Sequence, residues 1–191
     1  MKKILFTIAL LLAFGQGAWA QTTVTTDTGL FDAVKADGTV VLGSDISINS
    51  VLIIKKTTTL DLNGHKIIRQ GAEGDKNNGQ VVWVTSEGNL TIKDTGTEGR
   101  ITGGYAYSGG GIWNDGRLRI EDGSIYGNEA LGNAHGGGGI FNDGTLTFTG
   151  GSITGNTAPL GGGIKNYGTL NMWNSYESLK FPCKCLIIST A

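Results

Sequence analysis

Proline and cysteine are both scarce in this sequence, and each shortage excludes a class of protein. Two prolines among 191 residues exclude collagen and proline-rich linkers, although glycine is abundant at 33 residues. The two cysteines, Cys183 and Cys185, are two positions apart, so a disulfide between them would be strained. Two thiols alone also do not make a zinc site. We interpret them as an incidental pair and expect no metal and no other cofactor.

Long apolar runs are missing after the first twenty residues, whereas the N-terminus carries one. Two lysines precede an apolar run at residues 4–14, and residues 18–20 (Ala-Trp-Ala) fit a small-x-small cleavage site. A membrane-anchoring helix is the alternative, but the run is shorter than the ~20 residues that span a bilayer. We therefore expect a signal peptide over residues 1–20. The mature protein would then be exported, and be extracellular or associated with the outer membrane or cell surface.

An excess of positive charge is missing as well. Of the 15 basic residues two lie in the predicted signal peptide, which leaves 13 against 16 acidic residues and a net charge of −3. This balance provides neither a basic patch for nucleic acid nor a polybasic membrane anchor. The mature chain of about 170 residues is long enough for one domain.

Three stretches of the chain are nearly identical in pattern. Residues 109–120, 137–148 and 161–172 share the frame Gly-Gly-Gly-Ile-x-Asn-x-Gly-x-Leu-x-apolar, at offsets of 28 and 24 residues. Apolar and polar residues alternate within each copy, which indicates short strands with one buried face. No copy holds enough apolar residues for a core of its own, so the copies must stack. The pattern predicts an all-β fold, a right-handed parallel β-helix over residues 21–172 with about five or six coils.

The frame continues toward the N-terminus in a weaker form. We align Val84 with Ile112 at an offset of 28, and Leu60 with Leu90 at an offset of 30. A stack of strands has an open apolar end that needs a cover. Residues 29–36 place three apolar side chains on one helical face, which predicts a short N-terminal capping helix.

The C-terminal residues 173–191 break the repeat in mid-coil. One interpretation is a C-terminal cap, and the other is a truncated or frame-broken repeat. We favour truncation because this segment has no clear apolar period. An uncovered last coil would expose strand edges, so we expect self-association through the open end.

Asparagine recurs at two positions of the frame. Asn114, Asn142 and Asn166 form one predicted column, and Asn128 and Asn156 form another. Stacked side-chain amides hydrogen-bond from one coil to the next. We therefore predict two structural asparagine ladders and assign these residues no catalytic role.

Two short motifs alternate along the repeats. Residues 125–130 (Ile-Tyr-Gly-Asn-Glu-Ala) and 153–158 (Ile-Thr-Gly-Asn-Thr-Ala) each lead to a Gly-Gly-Gly-Ile segment. This alternation resembles the repeat of polymorphic outer-membrane proteins, in which Phe-x-x-Asn alternates with Gly-Gly-Ala-Ile. Residues 59–67 (Thr-Leu-Asp-Leu-Asn-Gly-His-Lys-Ile) resemble the first coils of secreted pectate-lyase-like β-helix proteins. Both resemblances imply the fold and an exported protein, and neither implies a particular activity.

Candidate catalytic residues are few. Several β-helix families are polysaccharide lyases or glycosidases, which need a base beside carboxylates or a pair of positioned carboxylates. His65 follows an Asn-Gly turn without such partners, and His135 lies in a variable loop. Asp115 and Asp143 fit Asn-Asp-Gly turns, and their column is not kept in the other coils, which argues against calcium. We therefore identify no catalytic residue and no metal ligand.

One outward-facing column is aromatic. The residue after each repeat isoleucine is Trp113, Phe141 or Lys165, and the alignment adds Thr85 before them. Aromatic faces one coil apart can bind sugar rings or a partner protein, so Trp113 and Phe141 are the candidate ligand-binding residues. The alternative is that their stacking only stabilises the β-helix.

Two functions remain open at the level of the sequence. The first is a non-enzymatic β-helix protein of the bacterial surface that serves adhesion or binds surface glycans or proteins of a host or neighbouring cell. The second is a polysaccharide lyase or glycosidase, or a fragment of one.

Overall fold

The computed structural model describes residues 21–71, 76–132, 136–172 and 189–190. The predicted signal peptide lies outside the described residues. Within these ranges no helix is long and apolar enough to cross a membrane.

Three long sheets and one two-stranded sheet contain the strands of this part of the chain. The first sheet has the order β1 (Gln21–Val24), β2 (Gly38–Leu42), β5 (Thr57–Asp61), β8 (Asn89–Lys93), β12 (Arg117–Ile120), β16 (Thr145–Phe148) and β19 (Thr169–Met172). The second sheet has the order β3 (Ile46–Ile48), β6 (Lys66–Arg69), β9 (Arg100–Thr102), β13 (Ser124–Tyr126) and β17 (Ser152–Thr154). The third sheet has the order β4 (Leu52–Ile54), β7 (Val82–Val84), β11 (Ile112–Asn114), β15 (Ile140–Asn142), β18 (Ile164–Asn166) and β20 (Ser189–Thr190). The two-stranded sheet pairs β10 (Tyr105–Ala106) with β14 (Glu129–Ala130).

The chain passes through the three long sheets in turn, so each strand pairs with its counterpart in the next coil. The pairings of the described strands are parallel throughout. The fold is a right-handed parallel β-helix, which confirms the prediction. The five strands of the second sheet are separated by four steps, so the helix makes about four turns. This count is slightly lower than the five or six coils expected, because β1 and β19 belong to incomplete coils at the two ends.

Inward-facing side chains form columns along the axis of the β-helix. One column in the first sheet contains Val40, Leu60, Ile92, Ile120 and Phe148. Each of these side chains is buried. Full burial of a Val, Leu, Ile or Phe side chain contributes about 1.5–3 kcal/mol relative to exposure. Because each coil adds only a few such residues, the core forms only when the coils stack.

A neighbouring inward column contains one polar residue. Thr58 aligns with Leu90, and the column continues through Leu118, Leu146 and Leu170. The Thr58 side chain is 1% exposed, and its hydroxyl has no hydrogen-bond partner among the described residues. A buried hydroxyl without a partner is destabilising.

The register of the first sheet differs from the sequence alignment at its N-terminal side. Leu60 pairs with Ile92, and Thr58 pairs with Leu90, so the offset is 32 residues and not 30. A shift of two residues leaves the same side chains facing inward, because side chains alternate with a period of two. The alternation of apolar residues therefore does not reveal this shift.

The helix α1 (Asp27–Ala33) covers the N-terminal end of the core. It begins two residues before the predicted range 29–36, because the Thr26 hydroxyl accepts a hydrogen bond from a first-turn backbone N–H at 3.1 Å. Leu30 and Val34, which share one face of the helix, are both buried. The short helix acts as the predicted cap.

The other end of the β-helix exposes apolar side chains. β19 is the last strand of the first sheet, and Met172 at its end is 38% exposed. In the third sheet β20 extends the order by pairing with β18. The rest of the predicted tail, with both cysteines, lies outside the described residues.

The buried hydroxyl of Thr58 generates a prediction on stability. Thr58→Val keeps the shape of the side chain and removes the unpaired hydroxyl, so we expect it to raise the free energy of unfolding by about 1–2 kcal/mol. Thr59→Val, at the half-buried outward position of the same strand, is the control and should change it by less than about 0.5 kcal/mol. Urea denaturation measures both. Equal effects, or destabilisation by Thr58→Val, would show that the hydroxyl has a partner.

The exposed end generates a prediction on association. At micromolar concentration the mature chain should self-associate, because β19 has no outer neighbour among the described strands and such an edge can pair with another chain. Met172→Lys places a charge at this edge and should shift the population toward monomer. Light scattering during size-exclusion chromatography measures both. A stable monomer of the unsubstituted chain would show that the end is covered.

Candidate functional site

The outward-facing side chains of the third sheet form the aromatic surface. Its register aligns Ile53, Trp83, Trp113, Phe141 and Lys165 in successive coils. The sequence alignment placed Thr85 in this column, and the structure places Trp83 there instead. We call Trp83, Trp113, Phe141 and the neighbouring Tyr167 the aromatic column.

The misplacement of Thr85 has a local cause in one turn. Four residues separate β7 from β8, whereas two separate β11 from β12. The two extra residues shift the third sheet to an offset of 30 while the first sheet keeps an offset of 28, so Val84 pairs with Asn114 and not with Ile112. Thr85 lies in the longer turn, where its backbone N–H donates to the Ile54 carbonyl at 3.0 Å.

The rings of the aromatic column pack at inclined angles. The ring centroids of Trp113 and Phe141 are 5.1 Å apart with an interplanar angle of 62°, and those of Phe141 and Tyr167 are 5.6 Å apart at 49°. These distances follow from the spacing of ~4.8 Å between neighbouring parallel strands. Edge-to-face pairs contribute about 0.5–1.5 kcal/mol beyond their area burial. The stacking therefore stabilises the contact between coils.

Asp115 holds both indoles of the aromatic column. Its Oδ2 accepts a hydrogen bond from Nε1 of Trp83 at 2.8 Å, and its Oδ1 accepts one from Nε1 of Trp113. Asp115 thus has a role that the sequence did not indicate, beyond its place in the Asn-Asp-Gly turn. With both N–H groups occupied, the ring faces and ring edges are what the two indoles can offer to a ligand.

Exposure is unequal along the aromatic column. Trp83 and Trp113 are half-buried and Tyr167 is 42% exposed. Phe141 lies on the outer face of the sheet, yet only 4% of its surface is exposed. Surface for a ligand is therefore provided by Trp83, Trp113 and Tyr167, while Phe141 acts mainly in packing.

The first asparagine column lies at 0–6% exposure beside the aromatic column. Asn114 Nδ2 donates to Asn142 Oδ1 at 2.5 Å, and Asn142 Nδ2 donates to Asn166 Oδ1 at 2.6 Å. The ladder ends at Asn114, whose Oδ1 has no partner among the described residues. The reason is its register neighbour Val84, which offers no donor.

The second asparagine column joins the same two coils that contain Asn114 and Asn142. Asn128 Nδ2 and its backbone N–H both donate to Asn156 Oδ1 at 3.0 Å, while Asn128 Oδ1 accepts from the Gly104 N–H. The glycines of the repeat make room for these amides. A Cβ atom at Gly139 would lie 2.9 Å from Asn156 Nδ2, closer than side chains tolerate. Both columns are structural and account for the Asn of the repeated frame, whereas most of its Gly residues lie against backbone atoms of the neighbouring coil.

Asp61 is a buried carboxylate whose role the sequence did not show. It accepts hydrogen bonds from the backbone N–H and the hydroxyl of Thr95, and its Oδ2 lies 3.3 Å from Lys93 Nζ. Burial alone raises the pKa of Asp61, but the hydrogen bonds from Thr95 and Lys93 outweigh it, so the pKa is lowered. Its contribution to stability is present above its unfolded pKa and is lost as the pH falls through its folded pKa.

Other acidic groups line a shallow cleft at the turns between the first and second sheets. Asp94, Glu98 and Asp122 surround a space of about 340 Å³. Asp94 accepts hydrogen bonds from backbone N–H groups, including that of Gly64 at 2.6 Å and that of Gly99 at 2.8 Å. Asp122 accepts one from its neighbour Gly123. Two of these carboxylates thus stabilise turns.

The two histidines considered in the sequence analysis do not add a further site. His65 Nδ1 lies 3.5 Å from Asp45 Oδ1 near the surface, and His135 lies outside the described residues. Among the residues that the structure describes, no group of three or more His, Cys, Asp or Glu could hold a metal ion. The aromatic column is therefore the candidate site.

Comparison with family models, with curated proteins and with solved structures finds no match to this chain. The class of protein rests on the fold alone, which is the parallel β-helix described above.

The asparagine ladder generates a prediction on stability. Asn142→Ala removes the central amide and leaves Asn166 Oδ1 without its donor, so we expect a loss of about 1–3 kcal/mol in the free energy of unfolding. Asp143→Ala, at the exposed turn residue next to it, is the control and should cost less than about 0.5 kcal/mol. Thermal or urea denaturation measures the difference. Equal costs would contradict a stabilising ladder.

Proposed function

We propose that this protein is an exported, non-enzymatic β-helix protein of the bacterial cell surface that binds carbohydrate or a partner protein in adhesion. The observation that carries the proposal is the aromatic column with its Asp115 anchor. Half-exposed indoles in a fixed position provide flat apolar faces, which suit the apolar faces of sugar rings.

Rigid presentation supports a binding role. Trp113 lies on β11, in the middle of a six-stranded sheet, and its ring is held by Asp115 on one side and Phe141 on the other. A side chain that is already ordered loses little conformational entropy when a ligand binds. The stacking also stabilises the fold, so the two roles of the aromatic column are compatible.

The exported location and the family resemblance belong to the same proposal. The basic start, the apolar run and the small-x-small site at residues 1–20 support export. The alternating repeat motifs support a relation to the pectate-lyase-like superfamily with repeats of the polymorphic outer-membrane protein type. A surface β-helix with an outward aromatic column agrees with both.

The alternative is a polysaccharide lyase or glycosidase. A glycosidase needs two carboxylates positioned on either side of the scissile bond. The acidic cleft of Asp94, Glu98 and Asp122 is the place where the described residues bring carboxylates together. Turnover of a polysaccharide, lost on Glu98→Gln, would favour this alternative over binding.

The proposal predicts that Trp113 contributes to glycan binding. On a panel of surface polysaccharides, with calcium present, the mature protein should bind at least one without cleaving it. Trp113→Ala should weaken that binding about five- to tenfold, as expected for loss of one aromatic contact.

A matched control separates this site from other exposed rings. Tyr126 is 44% exposed on the second sheet, and Tyr126→Ala should leave the affinity unchanged. Surface plasmon resonance measures both variants. Equal losses in both variants, or no binding across the panel, would contradict carbohydrate binding at the aromatic column.

A further inference from the structure

A second surface feature lies at the N-terminal end of the β-helix, between α1 and β4. Four apolar side chains line a groove of about 360 Å³, namely Phe31, Val34, Val51 and Ile53. Three lysines complete its lining, namely Lys35, Lys55 and Lys56. We call this feature the lysine-rimmed groove. Its volume lies within the range of about 300–1,000 Å³ that small-molecule sites occupy.

The groove exists because α1 covers the interior of the coil and leaves the outer face of β4 uncovered. Leu30 turns fully into the core, whereas Phe31 is half-buried at the side of the helix that faces β4. On β4 the side chains alternate, so Leu52 and Ile54 are buried inside while Ile53 points outward and stays half-buried. Apolar side chains from both elements therefore meet at the surface with space between them.

The rim of the groove carries uncompensated positive charge. Lys55 and Lys56 are exposed, and neither has an ion-pair partner among the described residues. Lys35 pairs with Asp32 at 2.6 Å. Asp37 accepts a hydrogen bond from the backbone N–H of Thr57 at 2.7 Å. An occupant that brings a negative charge would therefore complement Lys55 and Lys56.

The chemistry of the lining selects the kind of occupant. The apolar side chains offer no hydrogen bonds, and the lysines offer only ammonium donors, so sugar hydroxyls would go largely unpaired. On the helix side only Phe31, Val34 and Lys35 line the groove, which is too short for an amphipathic helix with several anchors. A single alkyl chain needs only apolar contact along its length, which the four apolar side chains provide.

We propose that the lysine-rimmed groove binds one alkyl chain that ends in an anionic group, such as a carboxylate. The chain lies between Phe31 and Ile53, and the anionic end lies beside Lys55 and Lys56. Ile53 is the register neighbour of Trp83, so the groove lies next to the N-terminal end of the aromatic column. This site is separate from the proposed glycan surface at Trp113 and does not depend on it.

Titration of the mature protein with decanoate, below its micelle concentration, tests the proposal. Isothermal titration calorimetry should show one binding site. The double variant Lys55→Glu, Lys56→Glu should raise the dissociation constant at least about fivefold, because it replaces two favourable charge contacts by repulsion. Decyltrimethylammonium, with the same chain and the opposite charge, should bind the parent protein more weakly and the double variant more tightly.

Three further variants locate the site. Ile53→Ser should weaken decanoate binding through the lost apolar floor, and Lys76→Glu, a charge reversal in another loop, should not. Trp113→Ala should also leave decanoate binding unchanged. Circular dichroism melting curves confirm that each variant is folded. Unchanged affinity in the lysine double variant, or loss of affinity in Trp113→Ala, would overturn the proposal.

Discussion

The hydrogen bond between identical asparagines of neighbouring coils is the constraint on which the register of the repeated coils, from Asn114 to Asn166, depends. The side-chain amide of Asn142, at 0% exposure, has to be satisfied inside the protein, and its partners include the amides of Asn114 and Asn166 and the backbone carbonyl of Thr169. A shift of one coil by a single residue would move an amide outward and leave its neighbours unpaired. Apolar columns alone tolerate a shift of two residues, because the same face stays buried. The ladder therefore decides between registers that differ by two residues, which apolar packing alone does not distinguish.

The same register creates the outer surface. Strict superposition of coils places Trp83, Trp113 and Phe141 in one line, and a turn that is two residues longer than its counterpart decides that Trp83, and not Thr85, joins them. Asp115 then links two coils through both indoles. In a solenoid, small differences in turn length thus change which side chains become neighbours without any change in the core.

The two proposed binding surfaces differ in their chemistry because they lie at different places in the stack. The aromatic column lies in the middle of the third sheet, where neighbouring coils hold each ring rigidly. The lysine-rimmed groove lies where α1 ends the stack, so its walls come from two kinds of element and leave a space between them. The first suits flat apolar faces, and the second suits a flexible chain with a charged end. Both follow from local packing, and neither needs a metal or a cluster of carboxylates.

The sequence by itself determined the class of fold, the capping helix and the residues of both asparagine columns. These features depend on periodicity, and periodicity is visible in one dimension. The tertiary structure alone decided the register at the N-terminal coils, the pairing of Leu60 with Ile92, the place of Trp83 and the role of Asp115. The lengths of the turns in coils that differ in sequence set these features. The sequence does not show them, because an alternating pattern with a period of two looks the same after a shift of two residues. The groove between α1 and β4 was likewise beyond the sequence, since it joins side chains of a helix and a strand whose contact no repeat specifies.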